Sequence, residues 1–498
     1  MARSTCMRKR WRLISWFAAL CCVLPASGVL VSGGLASGVP APVVEQQPAL
    51  TVSNARTSPG RVVAGGGYNY VPSVLQDGVY RMWWCGSDAG HVGDHIFYAE
   101  SSSLNGPFHA RGSTAPYQAV FAPTHANTHD RLHTCDPSVI RVNGVYYMYY
   151  GGLRDDPSKA MTTIGLATSR DGIHWRRANG GRPIITPAVR KNTGNRYGAG
   201  QPTVSYRNGF FYLTYTDTTG AASGPSGGGQ YVLRSRHPAF RSGVQELTAT
   251  GFRPQTPRNH TTHVVGYYFS VDMQYSDALD SWIMAHTDGS QTKLSFFAPD
   301  FSRKTFSDVP MSRKGFGGPG LVSRPDRHAV APTAGRCGVV PVDFITPVAK
   351  LVKPNAPTNL QRQGVDVSVG QTCASMARGK VARIFDGYAI TAPNLPLAFV
   401  TGGQRLQSAS FPPIQDVTKN FIRTTPQVFH RIPHGASLSP GAKVIGAAGR
   451  PAAFLLTNNT KWPVSSIKTI TDNRSHITMI GTARYDSCRR GPSLFQVH

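Results

Sequence analysis

The chain has 498 residues, 40% of them hydrophobic and 15% charged, with 52 glycines and 37 prolines. This composition excludes a disordered chain and fits a turn-rich all-β protein, long enough for more than one domain. A formal net charge of +27 predicts attraction to anionic surfaces or polymers, but no Lys/Arg run interleaved with aromatics follows the N-terminus, which argues against nucleic acid.

The N-terminus carries basic residues from Arg8 to Arg12, an apolar run from Leu13 to about Val31, and small residues at Ala36-Ser37-Gly38. That order is the pattern of a secretory signal. Residues 1–41 are therefore read as signal peptide and leader, and the protein is expected to be secreted or in the cell envelope. Membrane contact follows only if the segment stays uncleaved, because the run is long enough to anchor. Beyond it lie Cys85, Cys135, Cys337, Cys373 and Cys488, an odd set in which at least one stays free or pairs outside the chain. Cys85 and Cys135 fall in neighbouring repeats and suit a pair. No Cys/His set has zinc-like spacing, so neither metal nor cofactor is expected.

After a lead-in whose Leu50-Thr51-Val52 could supply a ring-closing strand, a hairpin pattern recurs. Its clearest copy runs from Cys135-Asp136-Pro137-Ser138-Val139 through Asn143-Gly144 to Tyr149-Tyr150-Gly151-Gly152. Val, Ile and Tyr fill both arms, and Asn-Gly demands a turn with positive φ at both central residues. Pro72, Pro137 and Pro202 recur every 65 residues, and a weaker copy spans Asp272 to Met284, with Asp272 aligning on Asp136. A second pair of short β runs follows each hairpin, as in Thr163 to Ser169. About four strands per repeat is the size of a propeller blade. Three clear copies, one weak copy and a remainder fit five blades, the fifth using Gly318 to Val322 and Val339 to Phe344.

Residues 136–152 and 164–175 closely resemble the five-bladed β-propeller of glycoside hydrolase families 43 and 32, and residues 72–86 and 201–217 resemble it well. The likeness runs from about Tyr68 to Phe297. It implies an all-β propeller over 42–352 and activity on furanose- or pentose-containing glycans. Val352 to Pro357 reads as a linker. Residues 358–498 hold a second repeat, Pro396-Leu397-Ala398-Phe399-Val400 matching Pro451-Ala452-Ala453-Phe454-Leu455 at a period of 55, with a basic residue, Arg405 or Lys461, closing each copy. They are read as two small β-rich modules.

The first strand of each propeller blade lines the axis, so Val71, Asp136, Gln201 and Asp272 are expected to converge there. Asp136 and Asp272 are the candidate working carboxylates, with Asp217 assisting, since glycoside hydrolysis needs an acid and a second carboxylate. Asn69, Gln201 and His133 are candidate hydrogen-bonding groups for substrate, with Trp83 and Trp84 as stacking platforms. A histidine of the His125–His133 loop is expected against Asp136. Ser169 to Trp175 resembles an Asp-box turn, a structural element. The resembled families use three acids, on blades one, two and three. Only Asp136 matches, because Val71 and Gln201 stand at the other two positions. Two functions therefore fit: a glycoside hydrolase with a rearranged acid set, or a non-catalytic glycan-binding, envelope-associated propeller. The partner in either case is carbohydrate, including anionic envelope polymer.

Overall fold

Asn143 and Gly144 have φ of 52° and 77°, and Asn208 and Gly209 have 51° and 80°, so both hairpins turn as their sequences demand. The computed structural model describes residues 47–494 apart from 65–67, 88–92, 125, 257–259, 289–290, 315–317, 334 and 349–358. The signal segment, the 352–357 linker and His125 lie outside the described residues.

Strand pairing closes five blades into a ring, as the repeat count and the family resemblance implied. Blade one is Tyr68–Asp77, Val79–Ser87, His95–Ser101 and Gln118–Phe121; blade two is His133–Val142, Val145–Leu153, Thr163–Ser169 and Arg176–Arg177. Blade three runs from Ala199–Arg207 to Gly251–Pro254 and blade four from Val271–Ser276 to Lys304–Lys314. Blade five is Gly320–Ser323, Val339–Val348 and Asn359–Ser368, completed from the other end of the chain by Thr51–Thr57. Its closure is locked by Arg56, which donates to Asp343 at 3.1 Å and to Asp366 at 2.6 Å.

One expected boundary is corrected here. Asn359–Ser368 pairs in full register with Val339–Val348, so the ring runs to residue 368 and does not end at 352. The Pro-rich stretch read as a linker connects two paired strands of one sheet.

Adjacent inner strands are fastened by a hydroxyl just past each proline. Val139 N–H donates to Ser73 Oγ at 2.9 Å, Val204 N–H to Ser138 Oγ at 3.0 Å, and Met273 N–H to Thr203 Oγ1 at 3.1 Å. This accounts for the recurring Pro-(Ser/Thr)-Val. Between blades five and one the strands run parallel, Val322 opposite Val74, and Gly320 lies so close to the Pro72 carbonyl that a Cβ would sit 1.8 Å from it. Apolar side chains fill the wedges between blades, Trp83, Val139 and Met148 in one and Tyr212, Met273 and Trp282 in another. The hairpin-turn end of the channel is crossed by residues 324–328, whose carbonyls accept from Arg141, Tyr206 and Tyr275 N–H. The Ser169–Trp175 turn is structural, with Asp171 Oδ1 accepting from Ile173 and His174 N–H.

The second repeat is mixed, not purely β. In each copy three antiparallel strands are flanked by two parallel edge strands and two short helices. The period of 55 carries the strand start at Ala389 to Val444 and the helix start at Pro412 to Ile467. The missed signal is Pro at the first helical turn, as in Thr425-Pro426, where Thr425 caps Val428 N–H. Arg405 and Lys461 are buried and donate to the carbonyls of Ile432 and Tyr485, so these repeated basic residues hold the modules together. The expected Cys85–Cys135 pair is a disulfide; Cys337–Cys373, which the sequence reading left unassigned, is a second, and Cys488 is free and buried. Among the described residues no helix is long and apolar enough to cross a membrane.

Replacing Ser138 by Ala leaves Val204 N–H buried without an acceptor. It should cost about 1–3 kcal/mol in denaturant unfolding; an unchanged midpoint would show that the inter-blade bond contributes nothing.

Candidate functional site

In blades one to three the inner strand bulges at the residue before proline. Val71, Asp136 and Gln201 have φ of 44°, 52° and 51°, and the register slips at each. Side chains rarely adopt this region, so three in the same place mark a backbone held there by its neighbours. At Asp136 the bulge presents a carboxylate, only 4% exposed, to the surroundings of the channel mouth.

Tyr197 donates its hydroxyl to Asp136 Oδ2 at 2.9 Å, and Gln201 donates its backbone N–H to the same carboxyl. Gln201 Oε1 accepts from Ser270 at 2.6 Å. Burial pushes the Asp136 carboxyl up to about 7; the Tyr197 and Gln201 bonds pull it back, and the charge of Asp94 adds to the rise. Asp94 is the residue that sequence reasoning missed. It sits at the head of the third strand of blade one, buried, with His133 Nδ1 3.0 Å from its Oδ2 and the Tyr68 hydroxyl bonded to it. Its main-chain carbonyl is tied to Thr134, beside Asp136 in sequence. The Cys85–Cys135 disulfide joins the two blades between these acids; Asp136 Oδ1 lies 3.3 Å from Cys135 Sγ, a contact without a proton since the sulfur is oxidised. The Tyr68 and Tyr70 phenols are both raised, chiefly by burial, and both feel Asp136. Two carboxyls, three phenols and one imidazole thus gather at one point.

Several expected site residues stand elsewhere or are already engaged. Asp272 aligns with Asp136 in sequence, yet blade four has no proline and no bulge there, and Asp272 pairs directly opposite Ala285. Its carboxylate is fully occupied: Arg327 from the channel, Leu321 N–H at 2.7 Å and Thr203 Oγ1 at 2.6 Å. It ties blades three, four and five. Asp217 accepts from Ala188 N–H, Thr219 N–H and Thr219 Oγ1 and is completely buried, a loop organiser. Trp83 and Trp84 have no exposed surface. Their indole N–H groups donate to Gly172 O and Asn69 Oδ1, so neither offers a face for stacking and Asn69 serves Trp84. His133 reaches Asp94, not Asp136. His129 bonds Thr163 and Tyr150, so among the described residues Tyr197 fills the place expected of a histidine. Asp94 with Cys85 and Cys135 has the spacing of a metal triad, but the sulfurs are joined in a disulfide and cannot ligate as thiolates.

No family model matches the chain, and no curated protein matches it. Among solved structures, it is similar to Zg3597, a family 117 glycoside hydrolase of the marine bacterium Zobellia galactanivorans, at 11% identity and a TM-score of 0.41 over 64% of this chain and 92% of that one. It is also similar to the catalytic domain of the Coprinopsis cinerea GH62 alpha-L-arabinofuranosidase, at 10% identity and 0.42 over 63% and 97%, and to the Bombyx mori GH32 beta-fructofuranosidase BmSUC1, at 12% and 0.39 over 73% and 67%. The five-bladed ring rests on the strand pairing above, and these likenesses say nothing of activity in this chain.

Two predictions follow from the acids. An Asp titrates near 3.8 when unfolded and Asp136 near 7 when folded, so its proton favours the folded state at low pH. That contribution is lost as pH rises from about 4 to 7, and above it a buried charge costs on the order of a few kcal/mol. Asp136→Asn should therefore raise the melting temperature relative to wild type at pH 8 far more than at pH 4; equal differences at both would refute the raised carboxyl. Asp272→Ala leaves Arg327 buried and unpaired and should destabilise by about 3–5 kcal/mol in equilibrium unfolding.

Proposed function

We propose that this is an exported glycoside hydrolase whose acid is Asp136 and whose second carboxylate is Asp94, acting on furanose- or pentose-containing glycans. The observation that carries the reading is a buried carboxyl held at about 7 beside another carboxyl in a propeller channel mouth. The substrate class comes from the resemblance of residues 136–152 and 164–175 to families 43 and 32, and two disulfides suit an oxidising compartment.

In this reading Asp136 gives its proton to the glycosidic oxygen as the bond from the anomeric carbon to that oxygen breaks. A water oxygen bonds to the anomeric carbon and passes a proton to Asp94, which His133 and Tyr68 orient. Exchange with solvent restores both acids.

A second reading has its own observation: Val71 and Gln201 occupy the two bulges equivalent to Asp136, and neither side chain can act as acid, base or nucleophile. The propeller would then bind glycan without cleaving it.

Sugar release from arabinans, xylans and fructans separates the two. Hydrolysis predicts release that declines as pH rises through about 7, where Asp136 loses its proton, and that falls at least about a hundredfold in Asp136→Asn and Asp94→Asn. Saturable binding without release by the wild type favours the second reading, and a fully active Asp136→Asn removes the first.

A further inference from the structure

A cleft of about 360 Å3 opens at the end of blade two where its inner strand begins, the same end of the ring as Asp136 but two strands further out. Its size falls in the range of ligand sites. Arg154 and Arg182 stand exposed on its lining, which also includes Asn127, Met161, Thr163 and the buried His129.

The charge in this cleft is unbalanced. No carboxylate lines it, and the acids nearby are engaged elsewhere. Asp155 pairs with Arg131 at 3.5 Å, Asp156 accepts from Ser158 N–H and Oγ, and Asp130 is buried against Arg177 at 2.7 Å. Arg154 and Arg182 have no ion-pair partner among the described residues. His129 adds no charge near neutrality: burial lowers it to about 4, and its ring nitrogens are held by Thr163 and Tyr150. What remains is two exposed guanidinium groups on a lining otherwise of neutral polar and apolar residues, the charge and donor set that favour a carboxylate or phosphate.

The cleft also connects to the axial site. Thr162, between the lining residues Met161 and Thr163, donates its N–H to the Tyr197 carbonyl at 2.8 Å, and the Tyr197 hydroxyl holds Asp136.

We infer that Arg154 and Arg182 bind the anionic substituent, carboxylate or phosphate, of an acidic glycan whose neighbouring unit lies at Asp136. The inference rests on the glycan reading of the axial site. The test measures binding by calorimetry, and sugar release, for three probes: an oligogalacturonate, a phosphorylated mannan oligosaccharide and a neutral arabinan oligosaccharide. The variants are Arg154→Ala/Arg182→Ala, a control pair of exposed cations, Arg170→Ala/Lys443→Ala, and Asp136→Asn. The arginine pair should weaken binding of at least one anionic probe by about tenfold or more and leave the neutral probe unchanged. Which anionic probe responds tells carboxylate from phosphate. Equal weakening in the control pair, or no preference for anionic over neutral probe, would overturn the cleft. Arginine-dependent binding that Asp136→Asn leaves untouched, with no release from any probe, would keep the cleft and overturn the axial reading.

Discussion

The ring depends on one hydrogen bond made again at three successive steps: from blade one to blade four, a hydroxyl just past the bulge of one inner strand accepts an N–H from the next, and the Asp272 carboxylate does the same for Leu321 N–H of blade five. Ser73, Ser138 and Thr203 each do this at 2.9–3.1 Å. From blade one to blade four the inner strands do not pair through the main chain, unlike those of blades five and one, so their inward N–H groups need side-chain acceptors, and a short hydroxyl supplies one. The proline before each hydroxyl has no N–H to satisfy. The residue before the proline is pushed out of the helical region, and here it takes positive φ. Spacing, bulge and axial side chain are consequences of one local arrangement.

The same arrangement prepares the site. A bulged residue at φ near 50° is held at a cost of about 1–3 kcal/mol, which the inter-blade bonds on either side must offset. In exchange the side chain is fixed in direction. At Val71 that direction serves packing, and at Gln201 it serves hydrogen bonds to Ser270 and Tyr197. At Asp136 it buries a carboxyl among phenols, where desolvation outweighs the two hydrogen bonds it accepts and the proton is retained toward neutrality. Blade four shows the converse: without proline the strand stays regular, and its aspartate becomes a tie for Arg327.

These contrasts explain what the sequence could and could not reveal. Pro-(Ser/Thr)-Val and Asn-Gly are local signals with one physical meaning, so the first three blades and their hairpins were legible; the fourth came from a weaker alignment, and the fifth and the closing strand from the remainder of the chain. The register of Asp272 was legible too, but its environment was not, because the partner Arg327 is 55 residues away and belongs to another blade. Asp94 lies outside every repeat, ahead of an ordinary strand, and only the fold brings it to His133. Trp83 and Trp84 look alike as stacking platforms and as core; adjacent tryptophans in one strand point to opposite faces, and here both faces are buried between blades. The module helices are only six residues long, too short for a periodic pattern to announce them.

The two ends of the ring are put to different uses by the same strands. At the hairpin-turn end, Arg324 is buried and donates to Asp277 and Asp326 of the propeller and to the carbonyls of Arg383, Ile384 and Asp386 beyond it. Gly78 N–H, in the turn of blade one, donates to Asn420 in the first module at 2.9 Å. The C-terminal repeats therefore dock where inner strands finish, and residues 324–328 cover that end of the channel. Asp136, Asp94 and the arginine cleft all lie where inner strands begin. A guanidinium with five donors can satisfy several carbonyls at a closed junction, as Arg324 does here. The modules thus dock on the turn end, opposite the bulges that carry Asp136.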